Sequence, residues 1–264
     1  MRRQSIAAVC LTATLVVTAC GGDDDTASAS ATTTPSAVTE STASSTDAGS
    51  STSGTTGSTE GSDATTAPGD GLAPPDATLP PDIPAELSVG FAPVEIVGDP
   101  LPLYDSSASP DPAVGLPAPA IIGYDADGNV IHFDPKTDGP AMLVFLAHWC
   151  PHCNNEVPRI EQLQKDGKIP DGLNVIAVLS GSRPDAPNWP PADWIHEMGW
   201  TYPTIMEGVD LTLPNPYLIH QAYGVGGFPF VTIIDADGNV ALRWSGERED
   251  SDAMIDEVTS VLGL

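Results

Sequence analysis

The motif Cys-Pro-His-Cys at residues 150–153 limits the possible fold and chemistry of this chain more than any other. It follows an apolar run at residues 141–147. The residues after the motif have helical periodicity, so we expect a buried strand that leads into a helix with Cys150 at its N-terminus. Unpaired backbone N–H groups at a helix N-terminus stabilise a thiolate. The sequence therefore predicts a redox-active dithiol.

The cysteine count narrows the possible partners of this dithiol. Of four cysteines, Cys10 and Cys20 lie in a predicted export signal, which leaves Cys150 and Cys153 for the folded part. A structural zinc site needs four ligands, commonly a second Cys or His pair at similar spacing, and the sequence lacks one. A purely structural disulfide is an alternative, although so short a loop gains little from cross-linking. We expect no metal site and no cofactor.

Residues 1–19 have the composition of an export signal. A basic start, Arg2-Arg3, precedes an apolar run at residues 6–17 that is too short to span a bilayer comfortably, and small residues precede Cys20. The pattern resembles a bacterial lipoprotein signal peptide, which implies lipid on Cys20 and anchoring to the cell membrane. An ordinary secretory signal is the alternative. Both place the protein outside the cytoplasm, where disulfide chemistry is permitted.

Residues 20–115 are predicted to form a disordered acidic tether. Between Thr26 and Pro68, 24 of 43 residues are Ser or Thr, and the stretch that follows is rich in proline. Such a segment buries too little apolar surface to offset its ordering entropy. Residues 87–97 form a more apolar cluster, which is a candidate for a short strand docked on the domain.

The charge of the chain limits its partners. Residues 116–264 carry 7 basic and 21 acidic residues, a balance of 7 minus 21, or −14. An acidic surface repels phosphate backbones, so we expect no nucleic-acid partner. Contact with the membrane must then come from lipid.

Apolar patterning in residues 116–264 predicts one α/β domain. The expected strands are residues 120–124, 130–133, 141–147, 173–179, 230–234 and 240–244, and the expected helices are residues 152–166, 191–198, 215–222 and 251–262. This alternation favours a mixed sheet covered on both faces. The hexapeptide Asp-Ala-Asp-Gly-Asn-Val occurs at residues 125–130 and 235–240. We interpret both copies as hairpin turns, because neither supplies the remaining ligands of a calcium loop.

Four motifs, separated along this domain, all match the sequence pattern of one known family. They are Ala118-Pro119-Ala120 with the Asp127-Gly128 turn, residues 145–153, the pattern Cys153, Glu156 and Pro158, and residues 223–235 around Pro229. Together they resemble the thioredoxin-fold family, specifically its extracytoplasmic TlpA/ResA-like branch. The resemblance implies a thioredoxin-like fold with a mixed central sheet flanked by helices, an N-terminal β-hairpin extension and a helical insertion at residues 183–206.

The resemblance also implies roles for the matching positions. Cys150 would be the exposed nucleophile and Cys153 the buried resolving thiol, and the two would form the redox-active disulfide. Pro229 would be a cis-proline that holds an extended substrate beside the sulfurs, a plain strand-edge proline being the alternative. Trp149 and Phe228 are the further candidate substrate contacts.

Two polar residues near the cysteines are candidate catalytic groups. Glu156 is placed to carry a proton for the resolving thiol, although an exposed helical glutamate paired with Arg159 is an equal alternative. His152 is expected to stabilise the Cys150 thiolate by charge or hydrogen bonding. The Pro151-His152 dipeptide resembles that of strongly oxidising periplasmic enzymes.

Three positions depart from the family patterns. Val144 stands where many thioredoxins carry a buried Asp, which leaves Glu156 as the substitute proton carrier. Ala147 stands where a peroxiredoxin-like peroxidase would have Thr, which argues against peroxidase chemistry. Phe228 is bulkier than the residue usual before the cis-proline.

These features predict a membrane-anchored extracytoplasmic thiol–disulfide oxidoreductase that acts on exported protein thiols or disulfides and has an integral membrane redox partner. Glu156 and Pro158 favour a reductase of the cytochrome c maturation type. Pro151-His152 instead favours an oxidase that installs disulfides. A surface lipoprotein whose domain is only a binding module is a third alternative, against which the intact Cys150 and Cys153 pair argues.

Overall fold

The computed structural model describes residues 78–264. The predicted signal peptide at residues 1–19, the predicted lipid-bearing Cys20 and the tether as far as residue 77 lie outside the described residues. Within residues 78–264, none of the helices has the length and apolar character that a bilayer crossing requires.

The described part of the chain contains eight strands and five helices. The strands are β1 (Glu95–Val97), β2 (Ala120–Tyr124), β3 (Val130–Phe133), β4 (Ala141–Leu146), β5 (Asn174–Leu179), β6 (Thr204–Met206), β7 (Phe230–Ile234) and β8 (Val240–Ser245). The helices are α1 (Ala85–Ser88), α2 (Pro151–Lys165), α3 (Pro191–Glu197), α4 (Leu218–Ala222) and α5 (Ser251–Leu262). All predicted strands and helices are present. The short elements α1 and β6 are additions to the prediction.

The central sheet has the strand order β6-β5-β4-β7-β8. β4 pairs in parallel with β5 and antiparallel with β7. Every residue of β4 is buried, because alternate side chains enter two apolar clusters on opposite faces of the sheet. Val144 and Leu146 pack in the cluster that includes α2 and α5, whereas Leu143 and Phe145 pack in the one that includes α4 and β3. This confirms the predicted mixed sheet flanked by helices.

The two copies of the repeated hexapeptide form the same turn. Asp125 Oδ1 accepts the N–H groups of Asp127 and Asn129 at 2.9 and 2.7 Å, and the turn at Asp235 repeats this arrangement. The glycines of both turns have positive φ, +84° and +82°, which other residues rarely adopt. The hairpins β2-β3 and β7-β8 are therefore set by local sequence, as predicted.

The N-terminal extension is a three-stranded antiparallel sheet of order β1-β2-β3. β1 lies within the apolar cluster at residues 87–97 and pairs with β2, so this candidate segment does contain a short strand. The hairpin β2-β3 corresponds to the predicted extension.

Ordered structure also begins earlier than the predicted domain boundary at residue 116. The buried apolar side chains that precede this boundary are Phe91, Leu101 and Ala113. The side chain of Arg243, which has no exposed surface, holds the same segment: it donates to both oxygens of Asp111 at 2.8 and 2.6 Å and to the Pro102 carbonyl at 2.9 Å. The structure thus corrects the predicted tether, whose last part is bound to the domain by apolar burial and a buried ion pair.

The predicted helical insertion contains α3 and β6. Trp194 and Trp200 are buried and belong to the apolar cluster that includes α2. Trp189 is half-buried, with its ring 5.6 Å from that of His148. Trp194 and Trp200 therefore pack in the core.

Candidate active site

The two cysteines lie where β4 passes into α2. Cys150 is the residue before the first helical turn, with an extended backbone at φ −80° and ψ 121°, and Pro151 begins the helix. Proline suits this position because its fixed φ is helical and its missing N–H would have no helical partner. Both cysteines are free thiols in this structure, so the disulfide between them stays a prediction.

The two thiols have different surroundings. Cys153 is fully buried, and its Sγ accepts the N–H of Ala147 at 3.4 Å. Cys150 is 5% exposed, and its Sγ–H donates to the carbonyl oxygen of Phe228 at 3.5 Å. Cys150 is thus less exposed than the resemblance implies, because the loop before β7 lies against its sulfur.

The pKa values of the two thiols also differ. The hydrogen bond from the Cys153 thiol is the largest cause that lowers the pKa of Cys150. Nearby backbone N–H groups of the first helical turn lower it as well. Despite the opposing effect of burial, the pKa of Cys150 falls to about 6. Burial is the main cause that raises the pKa of Cys153 far above its ordinary value. Near neutral pH, Cys150 is the thiolate and Cys153 keeps its proton.

Glu156 lies one turn after Cys153 and has no exposed surface. Burial is the main cause that raises the pKa of its carboxyl to about 7, and the backbone N–H of Arg248 and the charge of Arg159 oppose this rise. Within the described residues, neither carboxylate oxygen has a hydrogen-bond partner. Arg159 Nη1 is 3.8 Å from Glu156 Oε2, so the predicted pairing is present, but the glutamate is buried rather than exposed. A buried carboxyl of this kind can exchange a proton near neutral pH.

His152 lies at the surface beside Glu247. Its side chain is 62% exposed, and its Nδ1 is 3.4 Å from Glu247 Oε2. The charge of His152 lowers the pKa of Cys150, but it is a lesser effect than the Cys153 hydrogen bond. The structure thus gives His152 a smaller influence than the Cys153 thiol.

The candidate substrate contacts come together around Cys150. The Phe228–Pro229 peptide bond is cis, in agreement with the resemblance, and Pro229 directly precedes β7. The rings of Trp149 and Phe228 meet edge to face with their centroids 6.1 Å apart. The structure therefore places all three predicted residues beside the nucleophile, and their role in substrate binding stays a prediction.

Two residues that the sequence analysis missed hold Trp149 in place. The indole Nε1 donates to the Gly181 carbonyl at 2.7 Å, and the Arg183 guanidinium carbon lies 4.1 Å from the ring centroid. Gly181 has φ +63°, and a Cβ there would lie 2.7 Å from the ring of Phe228. No local spacing marks these residues, because Gly181 is 32 residues from Trp149 in the chain.

His148 is a buried anchor for the loop that carries Arg183. Its Nδ1 is 2.6 Å from the Pro187 carbonyl oxygen, and its Nε2 accepts the Arg183 N–H at 3.1 Å. Burial lowers the pKa of His148, which favours the neutral ring with its proton on Nδ1. Among residues 78–264, no three or more His, Cys, Asp or Glu side chains are grouped so as to hold a metal ion.

Comparisons with known proteins agree with this geometry. The model of the AhpC/TSA family matches residues 114–244. The thiol-disulfide oxidoreductase ResA of Geobacillus thermodenitrificans (strain NG80-2) is 27% identical over 144 residues, which cover 53% of this chain and 74% of the relative. ResA of Bacillus thuringiensis (strain Al Hakam) is 25% identical over 135 residues, covering 51% and 71%.

Among solved structures, a thiol:disulfide interchange protein of the thioredoxin family from Chlorobium tepidum TLS shares 26% identity and a TM-score of 0.43. The match covers 55% of this chain and 94% of that one.

A strand that runs into a Cys-x-x-Cys helix opposite a cis-proline defines the thioredoxin class of dithiol proteins. The chain belongs to the AhpC/TSA family of the thioredoxin fold, through residues 114–244. It is a thiol–disulfide oxidoreductase, as are the ResA proteins it resembles.

Proposed function

We propose that this chain reduces disulfides of exported proteins outside the cytoplasm, while lipid on Cys20 holds it at the bacterial cell membrane. The observation that carries the redox part is the asymmetry of the dithiol. Cys150 has a pKa of about 6, whereas the pKa of the buried Cys153 is strongly raised. A nucleophilic thiolate next to a protonated resolving thiol is the arrangement that disulfide exchange needs.

The reaction proceeds in two exchanges. The Cys150 thiolate attacks one sulfur of the substrate disulfide, a mixed disulfide forms, and the other substrate sulfur leaves as a thiolate. Cys153 then gives its proton to the Glu156 carboxylate and attacks the Cys150 sulfur. The Cys150–Cys153 bond forms and the second substrate thiolate leaves, so two electrons pass from the dithiol to the substrate.

The surroundings of Cys150 support a role in substrate positioning. The backbone edge at the cis Phe228–Pro229 bond lies beside the sulfur, since the Phe228 carbonyl oxygen is 3.5 Å from Cys150 Sγ, and the Trp149 and Phe228 rings pack edge to face. An extended substrate segment would lie along this edge. The Phe228 carbonyl oxygen also lies 3.5 Å from the Cys150 sulfur, so the binding segment has to pass this part of the loop to reach it.

The direction of electron flow separates two candidate functions. The resemblance of Glu156 and Pro158 to the TlpA/ResA-like pattern favours a reductase, of the type used in cytochrome c maturation, that an integral membrane dithiol protein re-reduces. The stabilised Cys150 thiolate favours an oxidase, because a stabilised reduced form makes the disulfide a better oxidant. A redox titration of the pair decides between them, since about 30 mV changes the two-electron equilibrium roughly tenfold.

The proposed location combines three parts of the chain. Residues 1–19 act as the signal peptide, Cys20 carries the lipid, and the acidic segment from residue 20 to the docked strand β1 serves as a tether. Its length lets the domain reach exported proteins while it stays attached to the membrane.

Insulin reduction tests the catalytic claim. The reduced protein should reduce insulin disulfides, and Cys150→Ser should abolish this activity without changing the folded state. Equal activity of the two proteins would remove the claim and leave the binding module as the function. A strongly oxidising potential in the redox titration would instead overturn the reductase direction and favour the oxidase.

A further inference from the structure

Glu247 lies just after β8, against the face of α2 that carries the catalytic groups. Its side chain is 16% exposed. A single oxygen, Oε2, is 3.0 Å from Asn155 Nδ2, 3.4 Å from His152 Nδ1 and 3.5 Å from Arg159 Nη1. The Glu247 carboxylate thus contacts three residues of α2, the helix that carries the dithiol. The redox mechanism described above does not use Glu247.

Arg159 is shared between two carboxylates. Its Nη1 is 3.5 Å from Glu247 Oε2 and 3.8 Å from Glu156 Oε2. Among the described residues, neither this nitrogen nor the Glu156 oxygens have a hydrogen-bond partner. Arg159 therefore stays at ion-pair distance from Glu156 without a close bidentate salt bridge.

The other charged groups near Glu156 are accounted for. They are Cys153 in the first turn of α2 and Arg248 from the segment after β8. The Arg248 guanidinium pairs with Glu257, and its carbon lies 4.2 Å from the Trp244 ring centroid. Arg159 is thus the cation whose position between the two carboxylates can change.

We propose that Glu247 is a positioning residue for the redox reaction: it draws Arg159 toward the surface and so leaves the Glu156 carboxylate free to accept the Cys153 proton. This inference rests on the proposed role of Glu156. A full salt bridge with Arg159 would stabilise the ionised carboxylate and make it a weaker base. The negative charge of Glu247 acts in the same direction, because it also raises the pKa of Glu156.

Two substitutions should move the Glu156 titration in opposite directions. Glu247→Gln releases Arg159 to pair with Glu156, so the pKa of Glu156 should fall by about one unit or more. Arg159→Met removes the cation, so the same pKa should rise. The measurement is a carbon NMR titration of the Glu156 side-chain carboxyl in the reduced, full-length protein.

Glu249→Gln is the matched control. It removes the same charge two residues along the chain, from an exposed side chain, and should leave the Glu156 titration unchanged within a few tenths of a unit because solvent screens it. In insulin reduction, the limb of the pH profile of kcat/KM that depends on Glu156 should move to lower pH in Glu247→Gln alone.

The inference is overturned if Glu247→Gln leaves the Glu156 titration in place, or if Glu249→Gln shifts it equally. Glu247→Gln decides by itself if Arg159→Met does not fold. The NMR titration needs no substrate, so its failure is distinct from a failure of the proposed function, which would appear as equal insulin reduction by the wild type and Cys150→Ser.

Discussion

Replacing Glu156 by glutamine measures what burial of this carboxyl costs the fold. The pKa of Glu156 is raised from 4.5 to about 7, so the folded state favours the neutral form. A raised pKa contributes stability that is complete below the unfolded pKa and is lost as pH rises through the folded pKa. The difference between 4.5 and about 7 corresponds to about 3 kcal/mol of stability lost once the carboxyl ionises.

The glutamine variant should not show this loss. Near pH ~4, below the unfolded pKa, the protonated glutamate and glutamine are similar in shape and charge, so both proteins should have equal free energies of unfolding in urea. Near pH ~8 the reduced Glu156→Gln variant should be more stable than the wild type by about 3 kcal/mol. Groups that titrate in both proteins, such as Cys150 and Glu207, cancel in this difference.

The same variant should be the poorer enzyme. Loss of the proton acceptor for Cys153 should slow insulin reduction by at least about tenfold at neutral pH, within the range of general-base effects. A difference in unfolding free energy that is constant between pH ~4 and ~8 would refute the raised pKa, because Glu156 would then titrate at its ordinary pKa in the fold.

Three further predictions address the two thiols, the segment before β2 and the loop at Gly181. Alkylation of the reduced protein should label Cys150 with a midpoint near pH 6 and spare its partner thiol; equal labelling would contradict the asymmetry. Arg243→Ala should destabilise the fold by about 3–5 kcal/mol, since it leaves Asp111 unpaired, and should expose the segment before β2 to protease; unchanged proteolysis would argue against a holding role of the Asp111–Arg243 ion pair. Gly181→Ala should slow insulin reduction, because its Cβ would collide with Phe228; wild-type kinetics would show that the ring moves freely.

Local patterns made most of the fold predictable. The apolar run of β4, the helical periodicity of α2 and the two Asp-Gly turns each depend on residues close together in the sequence. The cysteine motif likewise placed the dithiol at a helix N-terminus, since strand, turn and helix follow one another there. The family resemblance then supplied the cis-proline, which no local pattern indicates.

Contacts between distant residues explain what the sequence analysis missed. The proline-rich segment before residue 116 reads as disordered by composition, yet Asp111 meets Arg243 across 132 residues. Glu247 contacts Asn155 across 92 residues. Neither partner is marked by spacing or residue type, because surface acids are common in this chain and only the folded structure shows which of them meets a cation.

Glu156 and Glu207 show that a raised carboxyl pKa indicates a catalytic role only together with the contacts of the carboxyl. Burial raises the pKa of both to about 7. Glu207 accepts four hydrogen bonds, from the Ser180 hydroxyl and the N–H groups of Gly208, Ile219 and His220. Those donors fix its oxygens and join α4 to the end of β6, which is a structural task. Glu156 lacks such a set of fixed donors, the Arg248 N–H being the one backbone group that favours its ionised form, and it lies one turn after the resolving thiol, where its proton can be exchanged.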